Sequence, residues 1–399
     1  MPQNNIITLV GMDAHSERVS LCITEWSHGS DPVVKKQIDI PLKDLENTYK
    51  KQVTPDSVTV LEASTNAFSI HQRLFTIGYN SKVLASDTLA GRSRADNVTD
   101  KSDALKLTVA YARGGTREVH VPTYQYSQMR DIFFGYRNAV KDSTRCSNRI
   151  WAFCSQHGLK LPKRSFKSKV KKVKEELEAE EWSQEELFHI EILLQNYENS
   201  LKVRDIYEKR IAETIMANNE MINLMQILGV RFIVAFAMVA FVEDVTRFEN
   251  HKKLVAYLGL NPTVHKSGKA EGPNGVSNFG RSDLKSLMIQ AAQSAIRSGD
   301  TSDAKWARHK AASGKPYNVA VAALARKMAV KAWHIMMGNP VPNREEEKSF
   351  NLKLQKLAYA SGKESIKNLG YKTAAQFADD LCKRHYEHLP EKVASKATA

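Results

Sequence analysis

The first third of the chain alternates two kinds of apolar pattern. IITLVGMD is a short buried run that ends on an acid, and RVSLCITEW follows with partial alternation, as an adjacent hairpin strand would. VVKKQIDI fits a third strand, PLKDLENTYKKQ a helix, and SVTVLEAS a strand that again ends on an acid. FSIHQRLFTIG has helical spacing closed by Gly78; KVLAS is a further short strand, and DALKLTVAYARGG a helix with a Gly-Gly stop. Strands that alternate with helices in this way predict an α/β sheet domain covered by helices.

Beyond residue 122 the period becomes helical throughout. Residues 123–160 mix polar and aromatic positions. The basic run Lys160 to Lys174 then gives way to the acidic run EELEAEEWSQEE. A solvated face explains the acidic run, whereas the basic run also fits a strip that contacts phosphates. From Leu187 to Ile215 one long helix is predicted, with Leu187, Ile190, Leu194, Tyr197 and Leu201 at spacings of three and four, and Ile211 and Ile215 continuing the seam. A coiled coil, an antiparallel hairpin and a self-contained bundle all satisfy that spacing. LMQILGVRFIVAFAMVAFVED places a glycine between two apolar stretches. That fits a helix-hairpin-helix turn, whose amides can approach phosphate, and equally a plain buried helix pair. LVAYLGLNP, a polar glycine-rich loop, LKSLMIQAAQSAIRSG and NVAVAALARKMAVKAWHIMM follow. After Gly338 the chain is polar and mixed in charge. A peripheral tail is expected there, disordered in part at KVASKATA. No long-period repeat is visible.

Charge narrows the list of partners. The net charge of +14 over 399 residues draws the protein to polyanions, nucleic acid before an anionic membrane. A basic amphipathic helix with aromatic anchors is absent from the pattern, so no membrane role is expected. The longest apolar run, Phe232 to Val242, is too short for a span. Four cysteines lack metal-ligand or redox spacing and suit a reducing compartment; with no leader pattern, a cytoplasmic protein is expected.

Four acids stand out. Asp13 follows the first strand and Glu62 ends the fourth; Asp100 and Asp103, three apart, share one face of a starting helix. If strands one and four are neighbours, Asp13 and Glu62 lie at adjacent strand ends. Crowded carboxylates repel, and a divalent cation resolves the conflict; Mg2+ takes such hard oxygen ligands and can clamp phosphodiester oxygens. Read singly, Asp100 is equally a helix N-terminal acid favoured by the dipole.

GMDAHS, VLEAS and TDKSDALKL resemble the D-E-D-D motifs of RuvC-like transposases of the insertion-sequence one-ten family, and ILGVRFIVAFAMVAFVEDVTRFENHKKLVAYLGLNPTVHKSGKAEGPNGVSNFGRSDLKSL resembles that family's second domain. The resemblance runs from about residue 6 to 337. It implies an α/β ribonuclease-H-like (RuvC-like) domain over 1–160, a basic strip and helical coiled-coil connector over 161–220, a mainly α serine transposase domain over 221–340, and a C-terminal tail over 341–399. It further implies a Mg2+-dependent DNA transposase or recombinase, guided by a structured bridge RNA, that cuts and rejoins strands through a covalent phosphoserine.

The family's acids correspond to Asp13, Glu62, Asp100 and Asp103, and its nucleophile to Ser267, in the Ser-Gly step after Gly259-Leu260-Asn261-Pro262. A turn serine is the ordinary reading of Ser267 without the resemblance. Ser277 and Ser282 are stand-ins, and Lys266, Lys269 and Arg281 could bind phosphate. His15, His265 and His334 are candidate bases or ligands. Lys285 departs from the arginine often found in the family. DNA ends and target, a guide RNA and a dimeric or tetrameric assembly, through the Leu187 to Ile215 seam, are the expected partners. A site-specific invertase of the same family and a metal-dependent RuvC-like nuclease without a serine nucleophile are the alternatives.

Overall fold

A computed structural model describes residues 6–86, 100–158, 182–262, 266–267, 270–271, 275–277, 279–340 and 346–387. The chain divides into two compact units, one ending at Ser127 and the other starting at Gln128.

The first unit is built on a five-stranded sheet. Strands β1 (Ile7–Ala14), β2 (Arg18–Trp26), β3 (Val33–Pro41), β4 (Val58–Glu62) and β5 (Asn80–Leu84) lie in the order β3-β2-β1-β4-β5. β1, β2 and β3 are antiparallel neighbours, while β4 runs parallel to β1 and β5 parallel to β4. Alternation assigns side chains to two layers. On one face Val10, Met12, Leu21 and Leu61 pack with Leu45 and Tyr49 of α1 (Leu45–Gln52) and with Ile70 and Leu74 of α2 (Ala67–Thr76). On the other, Val60 and Leu84 meet Leu107 of α3 (Asp100–Ala112). Helices on both faces explain why β1 and β4 read as continuous apolar runs. The five strands and three helices expected from the pattern are all present.

In the second unit two 33-residue helices dominate the N-terminal part. These are α4 (Tyr124–Gln156), which begins just before the division, and α5 (Gln184–Met216). A capping box opens α5: the Ser183 side chain accepts from the Glu186 amide, and the Glu186 carboxylate accepts from the Ser183 amide. Ile150, Phe153 and Cys154 of α4 pack on Ile190, Leu194, Tyr197 and Leu201 of α5. Further along, a Cβ on Gly135 would lie 2.4 Å from the Tyr207 ring, so the two helices run antiparallel. Much of the expected seam is thus filled from within the chain, by α4, and Leu187 at its start is exposed. The antiparallel hairpin, one of the arrangements compatible with the spacing, is the one formed. The basic run Lys160 to Lys174 between the helices lies outside the described residues.

The rest of this unit is a helical bundle: α6 (Asn219–Leu224), α7 (Phe232–Val242), α8 (His251–Tyr257), α9 (Ser282–Ser298), α10 (Ser302–Ala312) and α11 (Tyr317–Met336). All but one of the α7 residues are buried, as a helix apolar on every side requires. The segment after residue 345 corrects one expectation. Instead of a peripheral tail it forms α12 (Glu347–Ser361), α13 (Lys363–Asn368) and α14 (Ala374–Glu387). Phe350, Leu354, Leu357 and Phe377 are fully buried or nearly so. The buried Lys353 ammonium donates to the Met225 and Ile227 carbonyls, both at 2.9 Å, and fastens α12 to the turn before α7. The expected disorder at KVASKATA falls outside the described residues.

Candidate functional site

Two places carry the residues singled out from the sequence, one in each unit. In the first, the parallel β1–β4 ladder ends at Met12 and Leu61, so Asp13 and Glu62 follow next to one another on adjacent strands, Asp13 still paired with Ser20 of β2 and Glu62 with Leu84 of β5. The loops beyond them are tied together, since the Asn66 side-chain amide donates to the His15 carbonyl at 2.7 Å. The His15 Nε2 lies 3.3 Å from an Asp13 carboxylate oxygen.

Gly11 sets the third contributor. A Cβ there would lie 1.8 Å from the Ala104 carbonyl oxygen, so α3 rests with its backbone directly on β1. That contact holds Asp103, the neighbour of Ala104, on a helix seated two residues from Asp13 along the strand. The Asp103 side chain is largely buried and lies 3.3 Å from the Lys106 ammonium. Asp100 is the first residue of α3, but its side chain is outside the described residues. Among the described residues no group of three or more His, Cys, Asp or Glu forms a metal-binding cluster. The donors that are described, Asp13, Glu62 and Asp103, are of the hard oxygen type that suits Mg2+.

In the second unit the glycine-rich loop is a hairpin with a fixed base. At its outer part β6 (Lys266–Ser267) pairs antiparallel with β7 (Ala270–Glu271), setting Ser267 opposite Ala270. Nearer the base, Pro262 bridges Val276, and the Ser277 amide donates to the Asn261 carbonyl at 2.8 Å. At the root, Gly259 and Gly280 meet backbone to backbone. A Cβ on Gly280 would lie 2.6 Å from the Gly259 nitrogen, and Gly280 has φ +95°, a conformation that L side chains rarely adopt. The Arg281 amide donates to the Tyr257 carbonyl, and the Lys285 ammonium donates to the Ser277 carbonyl at 3.0 Å. Lys285, the departure from the family pattern, therefore closes the loop base.

Of the stand-ins, Ser277 has a structural task, its hydroxyl accepting from the Phe279 amide, while Ser282 begins α9. His265 and Lys269 fall outside the described residues, as do the side chains of Lys266 and Ser267. His334 packs against Trp333 and lies near His251.

Beneath this hairpin base lies an arginine cluster of which the sequence singled out only Arg281, as a candidate phosphate ligand. The C-terminal carbonyls of α7 have no intrahelical partners, and side chains supply them. Arg130 donates to the Ala240 and Phe241 carbonyls, Arg247 to those of Val242 and Phe241, and the Tyr257 hydroxyl to that of Phe241. Arg281 stacks 4.2 Å above the Phe241 ring and forms a two-pronged pair with Asp283, at 3.2 and 2.8 Å. Burial pushes the Asp283 carboxyl up, but Arg281 outweighs it through hydrogen bond and charge, and the net pKa falls below the usual value. Three guanidiniums at a helix C-terminus also complement its dipole. The sequence signal was the cluster of polar residues in VEDVTRFEN directly after the apolar helix. Arg130, more than a hundred positions away, had no such mark.

Comparison with known proteins falls on this second site. Residues 221–307 match the model of the Transposase IS116/IS110/IS902 family, and the match contains the whole hairpin and the Arg247–Arg281 region. A Sinorhizobium fredii (strain NBRC 101917 / NGR234) protein named "Putative transposase y4qE" is 26% identical over 58% of this chain and 56% of its own length. The transposase for insertion sequence element IS1111A of Coxiella burnetii (strain RSA 493 / Nine Mile phase I) is 25% identical over 69% of this chain and 77% of its own. The transposase for insertion sequence element IS1328 of Yersinia enterocolitica is 21% identical over 82% of this chain and 96% of its own. Among the described residues no helix is long and apolar enough to cross a membrane. The segment 221–307, with the fixed hairpin at its centre, thus matches the IS116/IS110/IS902 transposase family model, and the chain is similar to insertion-sequence transposases over more than half of its length.

Proposed function

We propose that the protein is a DNA transposase that cuts and rejoins strands with Ser267 as nucleophile, supported by the acids Asp13, Glu62, Asp100 and Asp103. The observation that carries the reading is the position of Ser267: it lies on a hairpin of fixed base inside the matched transposase segment. The strand order β3-β2-β1-β4-β5 with helices on both faces supports a ribonuclease-H-like character for the first unit.

Attack of the Ser267 hydroxyl on a DNA phosphorus forms a phosphoserine bond and releases a strand hydroxyl. The serine proton passes to an acceptor, for which His265, two residues earlier, is the candidate. Attack by the hydroxyl of another strand then breaks the phosphoserine bond, so phosphodiester energy is conserved through the exchange. Asp13 and Glu62 at adjacent strand ends, with Asp103 and Asp100 on α3, would hold Mg2+. Bound there, it would neutralise charge on the phosphoryl oxygens. A structured guide RNA and a dimeric or tetrameric assembly belong to the same reading, because strand exchange joins two DNA partners.

The test is trapping. Protein, magnesium, RNA from the flanking element and labelled junction DNA are incubated, denatured and resolved for protein-linked DNA. A covalent adduct is expected with the wild type and is lost in Ser267→Ala and in Asp13→Asn. Cutting that needs Asp13, ignores Ser267 and leaves no adduct would overturn the serine mechanism in favour of a metal-dependent nuclease.

A further inference from the structure

The second unit contains a basic cleft that the proposed chemistry does not use. Two adjoining cavities, of about 610 and 590 Å3, share Glu208, Gly229, Arg231, Phe232 and Ser294 in their walls and so form one continuous depression. Its walls come from α4, α5, the turn leading into α7, α9 and α12.

Cations dominate the lining. Arg137 stands on α4, Arg204 on α5, Arg231 at the start of α7, Arg297 on α9 and Lys356 on α12. The acids in the walls are Asp205 and Glu208, and Asp205 is already engaged by Arg204 at 3.0 Å. The Nε of Arg204 is shielded from solvent and has no hydrogen-bond partner among the described residues. The Tyr359 ring, 73% exposed, stands in the wall one helical turn from Lys356.

Cations from five elements, an exposed aromatic ring and space for a chain together suit one ligand chemistry. A phosphodiester backbone presents repeated anionic oxygens to the cations, and its sugars and bases offer faces to the ring. The width of the cleft across separate elements, and the spread of charge along it, suit a strand rather than a single phosphate.

The wall formed by α12 is the unexpected part. It lies outside the matched segment 221–307, and Lys353 anchors it to the turn that bears Gly229 and Arg231. Gly229 in turn permits that turn to seat on α9, since a Cβ there would lie 2.2 Å from the Ala291 carbonyl oxygen. Backbone contact on one side and a buried ammonium on the other thus fix the floor of the cleft.

We infer that this cleft binds a nucleic-acid phosphodiester backbone and that the C-terminal segment, through Lys356 and Tyr359, completes it. The inference rests on the transposase reading for the kind of polymer present, but not on the serine or the acids. The occupant is the DNA duplex of the proposed strand exchange, whose backbone presents the repeated anionic oxygens that the cations in the walls complement.

Binding of the full-length protein to a fluorescent DNA duplex and, separately, to a fluorescent structured RNA from the flanking element would be measured by anisotropy between 50 and 200 mM salt. Magnesium is left out and Ser267→Ala is the background, so that no chemistry is needed. The variants are Arg297→Gln with Lys356→Gln, Tyr359→Ala, and Lys51→Gln of the first unit as a control; circular dichroism and melting show that each is folded. Removing two phosphate contacts should reduce the salt dependence by about two powers of salt concentration, so that the double variant loses about tenfold less affinity than the parent across that range. Tyr359→Ala should weaken binding about fivefold or more, as loss of a stacked base does. A change on DNA, with or without one on RNA, is the expected result, and a change on RNA alone with DNA binding unaltered would overturn the assignment to DNA. Unchanged affinity and salt slope on both polymers in the folded double variant would overturn the inference. Failure of the trapping experiment with this binding intact would reject the serine mechanism and leave the cleft standing.

Discussion

The two units hold their candidate residues by opposite means. In the first, Asp13, Glu62 and Asp103 stand on a strand, a strand and a helix, and their placement follows from sheet register and from α3 lying on Gly11. In the second, Ser267 stands on a hairpin whose root is a contact between two glycines. On the proposed reading, acids that share a cation gain from rigid elements, because small errors of position lose the ligand geometry. On the proposed mechanism, a nucleophile that meets one strand and then releases it to another is suited to a loop on a firm base. Each site depends on a close backbone approach that only glycine permits, and substitutions there separate the two designs.

The largest effect is expected in the first unit. Gly11→Val would drive a branched side chain into the Ala104 carbonyl and lift α3 from the sheet. A loss of about 3 kcal/mol or more is expected. Hydrogen exchange should rise across β1, β4 and α3, while the α4–α5 pair keeps its protection. Equal loss of protection in both units would show that they do not fold as separate entities.

Next comes the anchor of the C-terminal segment. Lys353→Met removes the donors for the Met225 and Ile227 carbonyls and should cost about 2–3 kcal/mol in chemical denaturation, leaving α12 sensitive to protease. A protease-resistant, fully stable variant would mean that apolar burial of Phe350 and Leu354 alone suffices.

Gly280→Ala should cost less in global stability, about 1–2 kcal/mol, through its positive φ and its collision with Gly259. Its effect on strand exchange should be far greater than on melting, and binding of nucleic acid should survive. Parallel loss of all three would make the hairpin base a general folding element.

The smallest effect concerns pH. Asp283 has a depressed pKa in the folded protein, so its pairing with Arg281 stabilises fully above the unfolded carboxylate range near pH 4. That contribution is lost as pH falls through the lower folded value. The stability gap between wild type and Asp283→Asn should therefore close on acidification, and a gap that persists at pH 2 would point to packing rather than charge.

Much of this was legible in the sequence, for identifiable reasons. β1 and β4 announced themselves as apolar runs ending on acids, and their pairing put Asp13 beside Glu62 as the pattern required. The long seam of α5 was correct as a buried stripe, but periodicity states that a face is covered and never by what. Ile150 and Phe153 of α4 were the cover, one of the arrangements that the spacing left open beside a second copy. The C-terminal helices were overlooked because charge obscured them, although Phe350, Leu354 and Leu357 follow helical spacing and are buried. Arg130 could not have been found, since only the folded chain brings it to the end of α7. The side chains of Asp100 and Ser267 lie outside the described residues, and their roles stay with the proposal.

The glycine contact at the hairpin root has a consequence for how such a protein can change. Gly259 and Gly280 meet through main-chain atoms, and Asn261 and Ser277 pair in the same way, so the mount does not depend on which side chains the intervening loop carries. The sequence between them, Ser267 apart, can then change without disturbing the mount, as a cartridge changes in a fixed socket. Variation in reach and in preference for a strand could accumulate there while the surrounding helices remain untouched.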